Sequence, residues 1–202
     1  MHMLNKFVMS RRQNELFIQK NLDHFIYQSM RLARYDVTEE QCINGIDPGT
    51  EEGKALENFR KCYSFLMRTA DLEPTYSYLL DLHWILMDGL MDLINNALTE
   101  EQVDYLNQMI NQPAKANTEI AIDVMLYILN KQLFADGDVR VALMFANKIM
   151  LDNGCGFISI PEHRDEEFRT LLKAAHHSEN TEEFKKWIFT WCIKGVKTDY
   201  FN

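Results

Sequence analysis

Apolar residues recur at three- and four-residue spacing along almost the whole chain, and this period predicts helices rather than strands. Leu16, Phe17, Leu22, Phe25, Ile26 and Met30 fall on one face of a long first helix predicted from Leu4 to about Arg34. Thr38-Glu39-Glu40-Gln41 and Thr99-Glu100-Glu101-Gln102 both have the form of a capping box. In such a box the Thr hydroxyl and the Gln side chain satisfy N–H and backbone groups that a helix start leaves open, so a helix is predicted to begin at each. Further helices are predicted over 51–70, 74–95 and 99–111, with a turn-rich loop at Asn44-Gly45 and Asp47-Pro48-Gly49.

Pro113 interrupts the pattern. The next two segments, 118–131 and 138–151, are apolar on more than one face, which places them in the middle of a bundle. Asn153-Gly154 is a suitable C-terminal cap for the second. Phe157-Ile158-Ser159-Ile160-Pro161 is the one strand-like stretch, and helices over 165–175 and 181–196 complete the set. The reading is one all-α domain spanning 1–202, with at most a short β element near 157–160.

Composition narrows the function classes. Apolar residues make up 47% and charged residues 25% of the 202, enough to bury a real core. A net charge of −9 argues against a nucleic-acid partner, which needs clustered Lys and Arg, and Lys194 with Lys197 is too thin a cluster to alter that. No apolar run reaches the ~18 residues of a membrane span, and Met1–Arg12 has no signal-peptide core, so no membrane partner and a cytoplasmic location are expected. Cys42, Cys62, Cys155 and Cys192 stand far apart with no metal-ligand spacing, as buried thiols in a reducing compartment do. His83, mid-helix among aromatic and aliphatic residues, reads as a structural histidine. His176-His177 read as cations favourable to a helix end, and the eleven methionines as core.

The two most apolar helices are joined by Gln132-Leu133-Phe134-Ala135-Asp136-Gly137-Asp138-Val139-Arg140. A polar Asp-Gly turn between buried helices presents the N–H groups of the second helix's first turn to solvent, where anions are favoured. Phe134, Asp136, Gly137 and Arg140 match in register the H-x-F-x-(D/E)-G-N-G-R-x-x-R motif of the Fic family. Leu82-His83-Trp84-Ile85-Leu86 looks like the family's upstream L-H-x-x-L helix, and Asn58-Phe59 with Cys62 its N-aromatic-x-x-A step. Asn147–Leu151, Gly154, Ile158 and Ile160-Pro161 follow its downstream pattern. Ser29 to Thr38 aligns with the family's S-x-x-I-E-G-N-x-L-T segment, which holds a self-inhibitory glutamate; Ala33 stands at that glutamate's position and Arg34 beside it. The resemblance covers about residues 20–195, with a Fic core at 74–196 and N-terminal helices 4–70 packed on it. It implies transfer of AMP from ATP to target hydroxyls, with Asp136 holding Mg²⁺ and Gly137, Asp138 and Arg140 holding phosphates.

The motif is eroded. The family histidine, which takes the proton from the target hydroxyl, is Gln132 here, and an amide cannot act as a general base near neutral pH. The motif's N-G is Asp138-Val139: the first adds charge where phosphates would sit, and a β-branched Val at a position of positive φ would be an outlier. The second motif arginine is Leu143, so both ends of the family's inhibitory ion pair are gone together. A target-docking flap expected between Met91 and Thr99 looks deleted. Three readings follow: a pseudoenzyme that binds a nucleotide or a protein partner without transfer; a transferase of altered chemistry using Asp136 and Arg140, in which Asp138 replaces the lost base; and a plain interaction domain that forms a homodimer or docks another protein.

Overall fold

The computed structural model describes residues 3–69, 72–91, 98–178 and 181–197. The apolar pair occupies the centre: α7 (Asn117–Lys131) and α8 (Asp138–Asp152), joined by a six-residue turn at 132–137. Val141 to Leu151 of α8 are all buried, so this helix has no solvent face and every turn of it is core. Each fully buried Leu, Ile, Met or Phe contributes about 1.5–3 kcal/mol of apolar transfer, which makes α8 the strongest single anchor.

Around this pair lie α1 (Arg11–Lys20), α2 (Leu22–Leu32), α3 (Glu39–Asn44), α4 (Glu51–Arg68), α5 (Tyr76–Met87), α6 (Glu100–Ile110), α9 (Asp165–Ser178) and α10 (Glu182–Trp187). β1 (Phe157–Ile158) and β2 (Ile193–Lys194) make a two-stranded antiparallel sheet, with Phe157 opposite Lys194 and Ile158 opposite Ile193. Both predicted capping boxes are formed, Thr38 with Gln41 and Thr99 with Gln102. The four cysteines are buried and free. No helix among the described residues is long and apolar enough to cross a membrane.

Two polar side chains of α8 are paired inside the core. Asn147 on α8 donates to the Ile158 carbonyl at 2.8 Å and accepts from its N–H at 2.7 Å, which fixes β1 to the central helix. Lys148 has no exposed side-chain surface; its Nζ donates to the Thr69 carbonyl at 2.6 Å and to Asp152 at 3.0 Å.

Three helical predictions are corrected. The helix predicted over 74–95 ends at Met87, and residues 88–90 form a turn. The first helix does not run from Leu4 to Arg34. Ser10 and Gln13 form a capping box that starts α1 only at Arg11, and Asn21 ends it, its Nδ2 donating to the Phe17 carbonyl at 2.7 Å before α2 begins. Residues ahead of Ser10 are an extended strap: the Asn5 side chain accepts from the first-turn Thr118 N–H of α7 at 3.0 Å, and Lys6 Nζ donates to the carbonyls of Phe189 and Thr190. The last helix stops at Trp187 and continues as a π turn (Ile188–Cys192) into β2, because burial of Ile193 beside Ile158 and pairing with β1 outweigh continuation of the helical ladder.

Candidate functional site

The turn between α7 and α8 is built from both flanks. Gln132 ends α7 in the left-handed region (φ 48°, ψ 62°), which throws the chain out of the helix axis. Leu133 and Phe134 then turn inward and are buried. The Phe134 ring stacks on His83 of α5 with centroids 4.1 Å apart and 12° between planes. His83 Nε2 lies 3.1 Å from the Asp136 carbonyl oxygen, so it is the protonated ring nitrogen that donates there. Burial pushes the His83 pKa down and keeps the ring neutral. Asn58 of α4 donates to the Leu86 and Asp88 carbonyls, which holds the end of α5 in place under the turn.

Gly137 caps α8 with φ 89°, and a Cβ there would sit 2.6 Å from Met87 Sδ. Glycine is therefore required by conformation, and any side chain there would also have to displace the end of Met87. Its N–H donates to its neighbour Asp136 Oδ1 at 2.6 Å. The N–H groups of Asp138, Val139 and Arg140 open the helix and have no intrahelical acceptor. Val139 corrects an expectation: it is an ordinary second residue of α8, and the left-handed conformation falls on Gly137 instead, so a β-branched side chain costs the turn nothing. The Asp138 carboxyl folds back into the turn, with Oδ1 accepting from the Phe134 N–H at 3.2 Å. Burial raises its pKa to about 6, against the lowering effect of the N–H groups of Phe134 and Leu133.

Asp136 reaches into solvent, its Oδ2 4.0 Å from Arg140 Nη2. The Arg140 side chain is only 11% exposed; its guanidinium lies over the Tyr35 ring at 5.3 Å and places Nη1 3.3 Å from Met87 Sδ. The opposite wall is the end of α2. Arg34 N–H bonds the Arg31 carbonyl and Tyr35 N–H the Met30 carbonyl, the two bonds of a Schellman motif, which puts Arg34 at φ 71°. α9 closes the third side: Arg169 donates to the Leu32 carbonyl at 2.9 Å and to Asp165 at 2.8 Å, and His176 Nε2 meets the Leu129 carbonyl at 3.0 Å.

The result is a pit of about 440 Å³ that brings together Gln132, Asp136, Gly137, Asp138 and Arg140 with Ala33 and Arg34. Ser29 is not part of it: its Oγ bonds the Phe25 carbonyl at 2.8 Å and Tyr63 Oη at 3.2 Å inside the core. Leu143 is buried. Arg169 and His176 line the pit without having been marked as site residues by sequence, because nothing local in α9 says which helix end it will face. The deletion expected between Met91 and Thr99 lies largely at 92–97, outside the described residues. Among the described residues no three His, Cys, Asp or Glu side chains gather as a metal cluster. Asp136 offers one carboxylate, so Mg²⁺ would need oxygens of a bound ligand to complete its shell. A second cavity, of about 490 Å³, lies between α6, α7 and α9, where Lys115 and Lys185 each meet Asp123 at 2.7 Å.

Solved structures carry the same arrangement of helices. A fragment of Fic-1 from C. elegans superposes with a TM-score of 0.70 over 90% of this chain, at 14% identity. The chain has a Fic-like fold. It spans 62% of the C. elegans chain's length. A Fic domain containing signaling protein from Bacteroides thetaiotaomicron superposes with a TM-score of 0.62, at 15% identity, over 88% of this chain and 80% of that one. No family profile matches the sequence, and no curated protein does. In this Fic-like fold the resemblance noted in the sequence falls at the pit, at the N-terminus of a central helix.

Proposed function

We propose that this protein is a pseudoenzyme of Fic-like fold, whose pit binds the phosphates of a nucleotide without transferring them and so presents a ligand-dependent surface to a protein partner. One observation carries the reading: Gln132, in the turn that lines the pit, stands where the resemblance places the catalytic histidine. An amide nitrogen does not titrate near neutral pH, and loss of a general base costs typically 10²–10⁴ in rate. What remains fits binding. The free N–H groups of Asp138, Val139 and Arg140 and the arginines of the wall favour an anion. Asp136 supplies one carboxylate for a Mg²⁺ carried by the phosphates.

The test is calorimetric titration of ATP and ADP, with and without Mg²⁺, into wild type and Arg140→Ala. Micromolar binding that weakens in the variant, with no AMP appearing on any protein hydroxyl, is the expected result. Absence of binding up to millimolar nucleotide in well-folded protein would discard the ligand part of the proposal.

One feature favours a transferase of altered chemistry as second reading. Asp138 is a half-buried carboxyl with its pKa raised to about 6, the range in which a general base works at neutral pH. Its Oδ1, however, accepts from the Phe134 N–H inside the turn. Transfer of AMP that Asp138→Asn and Asp136→Ala both abolish would establish this reading over the first.

A further inference from the structure

Among the described residues, two positions other than glycine adopt left-handed backbone, Arg34 (φ 71°) and Gln132 (φ 48°), and both line the same pit. A residue with a Cβ is disfavoured there, and the position after a helix C-cap goes to glycine by default. Arg34 holds it with no visible return from its side chain. The side chain is exposed and makes no hydrogen bond, ion pair or ring contact among the described residues. Its neighbours in the wall are committed: Arg169 to Asp165 and the Leu32 carbonyl, Arg140 to the Tyr35 face, and His176 to the Leu129 carbonyl. Arg34 is thus the pit arginine that keeps all five of its donors open.

The charge of the wall points the same way. Of the three arginines that line the pit, Arg140 has Asp136 at 4.0 Å and Arg169 has Asp165 at 2.8 Å, so Arg34 is the one with no ion-pair partner among the described residues. An unmet cation in a chain whose net charge is −9 draws anions to it. The guanidinium fork matches two oxygens of a phosphoryl group at once, and a dianion draws on the neighbouring arginines as a single carboxylate would not.

We propose that Arg34 is an anion-binding residue, whose guanidinium receives a phosphoryl group of the ligand seated in the pit, across from the α8 turn. The inference rests on the pit being a ligand site, as proposed above, and adds which side chain takes the charge. It gives the left-handed arginine a role: the α2 terminus is held in a costly conformation because the side chain at that point reaches the ligand. It also makes the end of α2 a part of the site that recognises the ligand rather than one that blocks it.

The experiment titrates ADP and, separately, inorganic pyrophosphate into wild type, Arg34→Gly, Arg34→Lys and Arg140→Ala, and records the melting temperature of each without ligand. Arg34→Gly is expected to lose about tenfold or more in affinity for whichever probe binds. Because glycine suits the left-handed position, its Tm should be unchanged or higher by up to ~4 °C. Arg34→Lys keeps the charge without the fork and should fall between the two. Binding of pyrophosphate as tight as ADP assigns the site to free phosphoryl anions, and binding of ADP alone assigns it to nucleotides; Arg34 dependence supports the proposal in either case. Undiminished binding in Arg34→Gly overturns it, and does so on its own if Arg140→Ala still loses affinity. A Tm that drops together with binding in Arg34→Gly also overturns it, because the arginine would then be structural. Wild type that binds neither probe overturns this proposal and the ligand-site reading together.

Discussion

The ring of His83 lies flat against that of Phe134 at 4.1 Å, and the same ring holds the Asp136 carbonyl at 3.1 Å, so one side chain of α5 sets both the inner and the outer residue of the α7–α8 turn. His83→Ala removes the stack and leaves a half-buried carbonyl unpaired. It should cost about 2–3 kcal/mol, seen as a Tm lower by about 4–12 °C in thermal melts. His83→Phe keeps the stack and loses only the hydrogen bond, and should fall between the two.

Asp138 gives the turn a pH signature of definite sign. Its carboxyl has a pKa of about 6 in the folded protein against an ordinary value of 3.8. As pH rises from 4 to 6 the unfolded chain releases this proton first, so this residue lowers stability above pH 6 and has no effect below about 4. Asp138→Asn should therefore be more stable than wild type at pH 7–8, with the gap closing as pH falls through 6 toward 4. Denaturant melts across that range measure it; a gap independent of pH would show that the carboxyl is not held out of water. His83 acts in the opposite sense, since its pKa is pushed down and the unfolded chain takes up the proton first as pH falls through about 6.5.

Gly137→Ala meets two obstacles, a φ of 89° and a Cβ only 2.6 Å from Met87 Sδ. The backbone alone costs about 1–2 kcal/mol, and displacement of Met87 adds to it. Met87→Ala empties a buried site and lowers Tm by itself, so the two are read as a double-mutant cycle: Gly137→Ala should cost less on the Met87→Ala background than in wild type, by the steric part alone, because the conformational part does not depend on α5.

The local signals in the sequence were those written in a few consecutive residues. Thr38 with Gln41 and Thr99 with Gln102 start their helices because a box is closed by groups three residues apart. The Ser10–Gln13 box was equally available, yet the apolar spacing on either side of Asn21 masked it and suggested one helix where there are two. The C-terminal segment reads as helix throughout, and its last residues leave that conformation for a strand pair whose partner lies some 35 residues upstream, at Ile158.

The site divides in the same manner. Gln132, Asp136, Gly137, Asp138 and Arg140 lie in one turn, and their motif could be read without any contact map. Periodicity, caps and the Asp-Gly turn are sums of interactions between near neighbours in the chain, so the sequence by itself determined the all-α class, the central pair and the location of the anion-favouring turn. Only the tertiary structure decided that Arg34 would face that turn, that Arg169 and His176 would close it, that Ser29 would be withdrawn into the core, and that Val139 would be an ordinary helical residue. Those outcomes depend on how whole helices settle against one another. Burial against a shared core sets that, and no short stretch of chain encodes it.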